Sequence, residues 1–141
     1  MSITTYSSKK VSITVAGQPI TGVAEDSFVI CEFTSDAFTK KTGADGEVTR
    51  SANPDQSGTI TIKLMASSES NAYLSALALA DKNTLLGTVP VMIKDNNGTD
   101  LVEGNECWIT KQPKQEYGKE VGDREWKFEV SFLNMFAGGN F

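Results

Sequence analysis

Two well-separated segments alternate strictly between apolar and polar side chains, and this alternation limits the fold more than any other feature. In residues 59–64, Ile60, Ile62 and Leu64 interleave with Thr59, Thr61 and Lys63. In residues 125–132, Trp126, Phe128, Val130 and Phe132 interleave with Glu125, Lys127, Glu129 and Ser131. A period of two matches the pleat of a strand, whereas a helix would scatter the same residues around its axis. Each segment therefore reads as a strand with one face on a core and the other in water. A one-residue slip would exchange the faces, so both registers are firmly specified.

Weaker signals of the same kind fill out the chain. Val11, Ile13 and Val15 alternate along residues 11–15, and Gly17-Gln18-Pro19 reads as the turn that follows. Residues 27–34 (SFVICEFT) form a nearly continuous apolar run, consistent with a strand buried on both sides. Residues 89–94 are β-rich, Asn97-Gly98 marks a hairpin turn, and residues 106–111, with Trp108, supply the returning strand.

One segment departs from the pattern. Residues 68–81 are rich in helix formers, with Ser67 or Ser68 to cap them and Glu69 at the positive end of the dipole. Tyr73, Leu74, Leu77, Ala78 and Ala80 make an apolar stripe that must lie on a sheet. Strands, one helix and more strands predict a mainly β fold, a two-sheet β-sandwich or barrel with one packed α-helix. Two polar connections are longer than such a fold requires, residues 39–57 and 112–123. The first has a Gly43-Ala44-Asp45-Gly46 turn at its middle and β-compatible residues around it, which suits a protruding arm. Residues 1–8 and 138–141 are expected to be mobile in the free subunit.

Composition excludes most chemistry. The 141 residues fit a single domain spanning 1–141. No histidine occurs, which removes the commonest general base and metal ligand. Cys31 and Cys107 lie far apart in the sequence and read as two buried thiols. Glu25-Asp26, Glu103 with Glu106, and Glu116 with Glu120 match no metal-loop spacing and read as solvated turns. Gly43 and Gly46 lack the Lys-Ser/Thr of a phosphate loop. A formal charge of -5 argues against gripping nucleic acid phosphates, and Lys9-Lys10 and Lys40-Lys41 are too short to form a basic patch. No basic leader with an apolar core and no membrane-length apolar run is visible, so a soluble protein of the cytoplasm is expected. An enzyme, a cofactor and a metal are all unexpected.

The run from Gly46-Glu47-Val48-Thr49-Arg50 through Ser57-Gly58-Thr59-Ile60-Thr61-Ile62 to Ser70-Asn71 and Leu74-Ser75-Ala76-Leu77 resembles the core signature of a family of small phage tail tube proteins. The opening residues 6–28 are similar to that family's first hairpin, and the aromatic C-terminal strand also fits, so the resemblance spans nearly the whole chain. It implies a fold similar to the tube proteins of type VI secretion, hexameric rings that stack, and a hollow tube passing DNA without specific binding. It also implies assembly in the host cytoplasm into the virion tail, beside sheath, baseplate and tape-measure proteins, with no membrane partner. By the same analogy the arm carries ring or stacking contacts, through Lys40, Lys41, Asp45, Glu47, Arg50 and Asp55. The polar strand faces, Thr59, Thr61, Lys63, Glu125, Lys127 and Glu129, become candidates for the lumen wall. Three alternatives stand beside this reading. One is a type VI or pyocin-like tube subunit with another cargo, and a second is a sheath, baseplate or tail-terminator component. The third is a carbohydrate-binding β-sandwich using Trp108, Tyr117 and Trp126.

Overall fold

The computed structural model of the chain describes residues 3–139. Its strands are β1 (Val11–Val15), β2 (Gln18–Pro19), β3 (Val29–Phe33), β4 (Phe38–Thr42), β5 (Val48–Ala52) and β6 (Gly58–Met65). After the helix α1 (Ser70–Thr84) come β7 (Val89–Asp95), β8 (Leu101–Lys111), β9 (Asp123–Val130) and β10 (Leu133–Phe136). Eight strands make one antiparallel sheet, in the order β2-β1-β7-β8-β9-β6-β3 with β10 also paired to β8, and β4 and β5 pair only with each other.

The large sheet wraps over itself without closing. Ile13 and Val15 of β1 and Val91 and Ile93 of β7 share one apolar cluster with Ile60, Ile62, Leu64, Trp126, Phe128 and Val130 of β6 and β9. The two alternating segments thus face the core as their pattern requires, and the result is sandwich-like. β8 makes this possible. One of its edges carries β7, while the other carries β10 along Leu101–Gly104 and β9 along Cys107–Lys111. The chain also crosses from one half to the other after β2, since the Ile20 N–H donates to Ile13 O (2.9 Å) and the Ala24 N–H to Lys63 O (2.9 Å).

Helix α1 is latched at its N-terminal end. Leu74 is fully buried, worth about 1.5–3 kcal/mol, and Tyr73 and Leu77 pack beside it. The Tyr73 hydroxyl donates to Val15 O (3.1 Å). Asn71 is the latch itself. Its Nδ2 donates to Met65 O (2.9 Å) and Ser68 O (3.1 Å), and its Oδ1 accepts from Trp126 Nε1 (2.9 Å). The N-cap is Glu69, not the expected Ser67 or Ser68, and its side chain makes no cap bond, although Ser68 Oγ, one residue earlier, accepts from the Ser70 N–H (3.2 Å). Ala80 lies outside the buried stripe and is exposed.

Four local expectations are corrected. The first turn falls at Ala16-Gly17, both with positive φ (52° and 83°), and Gln18-Pro19 already pair with β1. Such a two-residue connection needs left-handed backbone at both positions to match strand twist, which Pro19 cannot provide. The hairpin after β7 exists, but Asn97-Gly98 is not its two-residue tip. Asn97 is buried and ties the hairpin to the N-terminal segment: its Oδ1 accepts the Ser7 N–H (2.9 Å) and its Nδ2 donates to Ser7 O (2.8 Å). Phe132 does not continue the core face of β9. The chain bends at Ser131-Phe132, so Leu133 takes the buried place and Phe132 is exposed. Finally, parts of the termini are held: Ser7 by Asn97, and Gly139 through its N–H to Asp100 Oδ1 (2.7 Å). Met1, Ser2, Asn140 and Phe141, also expected to be mobile, lie outside the described residues.

Candidate assembly interface

The polar face of the β6–β9 pair is a continuous wall. Thr59 lies opposite Glu129, Thr61 opposite Lys127 and Lys63 opposite Glu125, so the six candidate lumen residues share one surface. Register extends each row sideways. Trp108 stands beside Glu129 and Lys111 beside Lys127 on β8, and Glu32 and Ile30 stand beside Thr59 and Thr61 on β3. Three lysines (63, 111, 127) and four acids (Glu32, Asp123, Glu125, Glu129) therefore share this wall, close to balance with a slight negative excess. Such a surface neither attracts nor repels a polyanion strongly.

β3 bounds the wall, and here the largest departure from expectation occurs. It is an edge strand, paired with β6 alone, and not a strand buried on both sides. Ile30 and Phe33 remain 42% and 43% exposed. The apolar run of residues 27–34 is real, but this subunit covers only part of it. An exposed apolar edge with unpaired backbone groups is a template for another chain.

The second protruding feature is the arm. β4 and β5 form a two-stranded ribbon with every residue exposed. Its tip is closed by Gly43 N–H to Glu47 O (2.7 Å) and by the Asp45 carboxylate accepting the Glu47 N–H (3.1 Å), with Gly46 at φ 86°. The candidate contact residues divide by place. Lys40 lies directly opposite Arg50, Lys41 is on the other face, and Asp45 and Glu47 sit at the tip. Asp55 belongs to the neck, where Oδ1 accepts from the Ser57 hydroxyl (2.6 Å) and N–H (3.0 Å) and Oδ2 from the Ser35 hydroxyl (3.0 Å). These bonds, the Ser57 hydroxyl foremost, hold its carboxyl below the ordinary aspartate value.

Little else has the makings of chemistry. Cys31 and Cys107 are separate thiols; Cys107 is buried as expected, while Cys31 is only half-buried, and burial pushes each up to about 11 and so keeps it neutral at ordinary pH. Among the described residues no three His, Cys, Asp or Glu side chains gather to hold a metal, and no helix is long and apolar enough to cross a membrane. Trp126 is in the core and bonded to Asn71, which removes it from any sugar platform, while Trp108 and Tyr117 are exposed.

The fold is shared with solved chains of contractile injection systems. The chain superposes on the tube-terminating cap of the anti-feeding prophage with a TM-score of 0.67 at 10% identity, covering 96% of this chain and 93% of that one. It superposes on a chain of the sheath–tube complex of the extracellular injection system PVC with a TM-score of 0.60 at 12% identity, covering 94% and 91%. Sequence comparison narrows the class. Residues 3–138 match the family described as bacteriophage PhiTE tail tube protein, and the chain belongs to that family. It is also 31% identical to structural protein ORF10 of Pseudomonas phage KPP10 over 144 residues, covering 96% of this chain and 83% of the relative. It is a structural subunit of a phage tail tube, and its place is the virion tail.

Proposed function

We propose that the whole chain acts as one tube-building domain, closing hexameric rings that stack into a hollow tube through which DNA passes to the host. The half-exposed apolar strand β3 carries this reading, because its cover must come from another copy. Ring closure would place the edge of one copy against the next, consuming the edge in a contact that repeats around an axis. The wall of Thr59, Thr61, Lys63, Glu125, Lys127 and Glu129 would then line the lumen. Its balance of lysines and glutamates suits a surface that a polyanion slides past without adhering. The work is mechanical, with no catalytic step and no cofactor. Sheath, baseplate and tape-measure proteins would be its neighbours in the tail, a reading supported by the sheath–tube assembly in which one structural relative was seen.

The arm supplies contacts between copies in this scheme. Negative-stain microscopy of the purified chain across a concentration series is expected to show stacked hollow rings. Deletion of residues 44–54 is expected to leave a folded subunit that makes none. Normal tubes from the deleted chain would remove the arm from assembly.

A further inference from the structure

A groove of about 520 Å³ opens where the large sheet fails to close, between the edge strand β3 and the opposite strand β10. Val29 and Cys31 line it on one side, Ile93 and Val102 form its floor, and Met135 and Phe136 line the other side. Its charged lining groups are Glu25, Asp95 and Asp100, and no Lys or Arg lines it. Asp95 is committed to Asn97 (2.9 Å to its N–H, 2.7 Å to Nδ2), and Asp100 Oδ1 accepts the Gly139 N–H. Glu25 is exposed and has no hydrogen bond or ion pair among the described residues. The groove is thus mainly apolar, with Asp95 buried and already bonded, and Glu25 and Asp100 give its rim a negative sign.

The arm has the opposite character on one of its faces. Strand pairing puts Phe38, Lys40, Thr42, Val48, Arg50 and Ala52 together on that face, with no acidic residue among them. Lys40 lies directly across from Arg50, and like charges in that relation destabilise an isolated ribbon. Arg50 relieves part of this by lying over the Phe38 ring, 4.2 Å from its centroid. Phe38 and Val48 remain exposed beside the two cations. A two-stranded ribbon gains nothing alone from such a face, whereas an apolar groove with an acidic rim would cover the side chains and offset the charge. No arm residue lines the groove of its own chain.

We infer that the Phe38–Lys40–Val48–Arg50 face of the arm seats in the open groove of a second copy. Phe38 and Val48 lie over Val29, Ile93 and Val102, and Lys40 and Arg50 point to Glu25 and Asp100. Arm and groove are different surfaces of one chain, so the contact is heterologous and propagates from copy to copy. This inference rests on the proposed role of the arm in assembly and names its receptor.

Compensating charge reversal in the full chain tests it. Glu25→Lys alters only an exposed, unbonded side chain and leaves the fold intact by circular dichroism. It is expected to raise the concentration needed for tubes, read by pelleting and microscopy, by about tenfold or more. Lys40→Glu with Arg50→Glu should do the same, and all three changes together should restore assembly to within about threefold of the native chain. If Glu25→Lys assembles like the native chain, or the triple variant is no better than its parents, the groove is not the receptor. If that happens while deletion of residues 44–54 still abolishes tubes, the arm keeps its role and only this receptor is lost. Normal tubes from the deletion would overturn both.

Discussion

The latch between helix and sheet can be tested by a double-mutant cycle on Trp126 and Asn71. Trp126 is 1% exposed and Asn71 5% exposed, so neither group can turn to water when its partner is removed. Trp126→Phe takes away the indole N–H and leaves Asn71 Oδ1 buried without a donor, a loss of about 1–3 kcal/mol. The smaller ring adds about 1–2 kcal/mol of lost packing. The single variant should therefore lose about 3 kcal/mol, a large share of the ~5–15 kcal/mol typical of a domain. Asn71→Leu should cost a similar amount, because Met65 O and Ser68 O also lose the Nδ2 donor. In the Asn71→Leu background the indole N–H is already unpaired, and Trp126→Phe then costs only packing. The two changes are thus expected to be non-additive by about 1–3 kcal/mol. Urea unfolding of the unassembled subunit, followed by far-ultraviolet circular dichroism, measures this provided the m-value is unchanged across the four proteins. A coupling under about 0.5 kcal/mol would show that helix and sheet are not joined through this bond.

Two further outcomes are expected. Gly104→Ala would bring its Cβ within 2.5 Å of Val130 Cγ1 and 2.9 Å of Cys107 Sγ, so this crowded crossing of β8 should lose about 1–3 kcal/mol. A thermal melt unchanged from the native subunit would contradict that packing. At the arm's neck, the Asp55 carboxyl is held below the ordinary aspartate value of 3.8 by Ser57 and Ser35. Its contribution is therefore complete above that value and is lost as pH falls through the lowered one. The Ser57 amide resonance should titrate with a midpoint below 3.8, and a midpoint at or above it would show that the neck bonds do not form in solution.

Much of this architecture was legible in the alternation of β6 and β9, because burial on one face imposes a period that no other element shares. The helix was equally plain, and its start at Ser70 is within two residues of the expected position. The arm announced itself through Gly43 and Gly46 between strand-forming residues. What failed was whatever depended on distant company. The run at residues 27–34 reads the same whether its second face is covered by this subunit or by another, and β3 proved to be an edge. Phe132 kept the alternation of β9 in sequence, but a bend at Ser131-Phe132 gave the core position to Leu133. The groove could not be read at all, since Val29, Ile93, Val102 and Phe136 meet only through the sheet's topology. The one available signal was the excess of apolar residues in β3 over what a half-covered strand needs.

The position of β8 between the two halves of the sheet also governs how this protein comes into being. Its own neighbours β7, β9 and β10 lie close in sequence, but the strands beyond them come from the N-terminal half: β1 reaches the sheet only through β7, and β6 finds β9 across the whole helix and the hairpin that follows. Pairs such as Thr14 with Met92 and Ile62 with Trp126 require long loops to close before they return any stabilisation. Folding should accordingly be slow for a chain of this size, and β3, whose only partner is β6, cannot be secured before β6 is in place. The apolar edge therefore takes its final form only once β6 is seated, and β6 in turn has β9, made late in synthesis, on its other side.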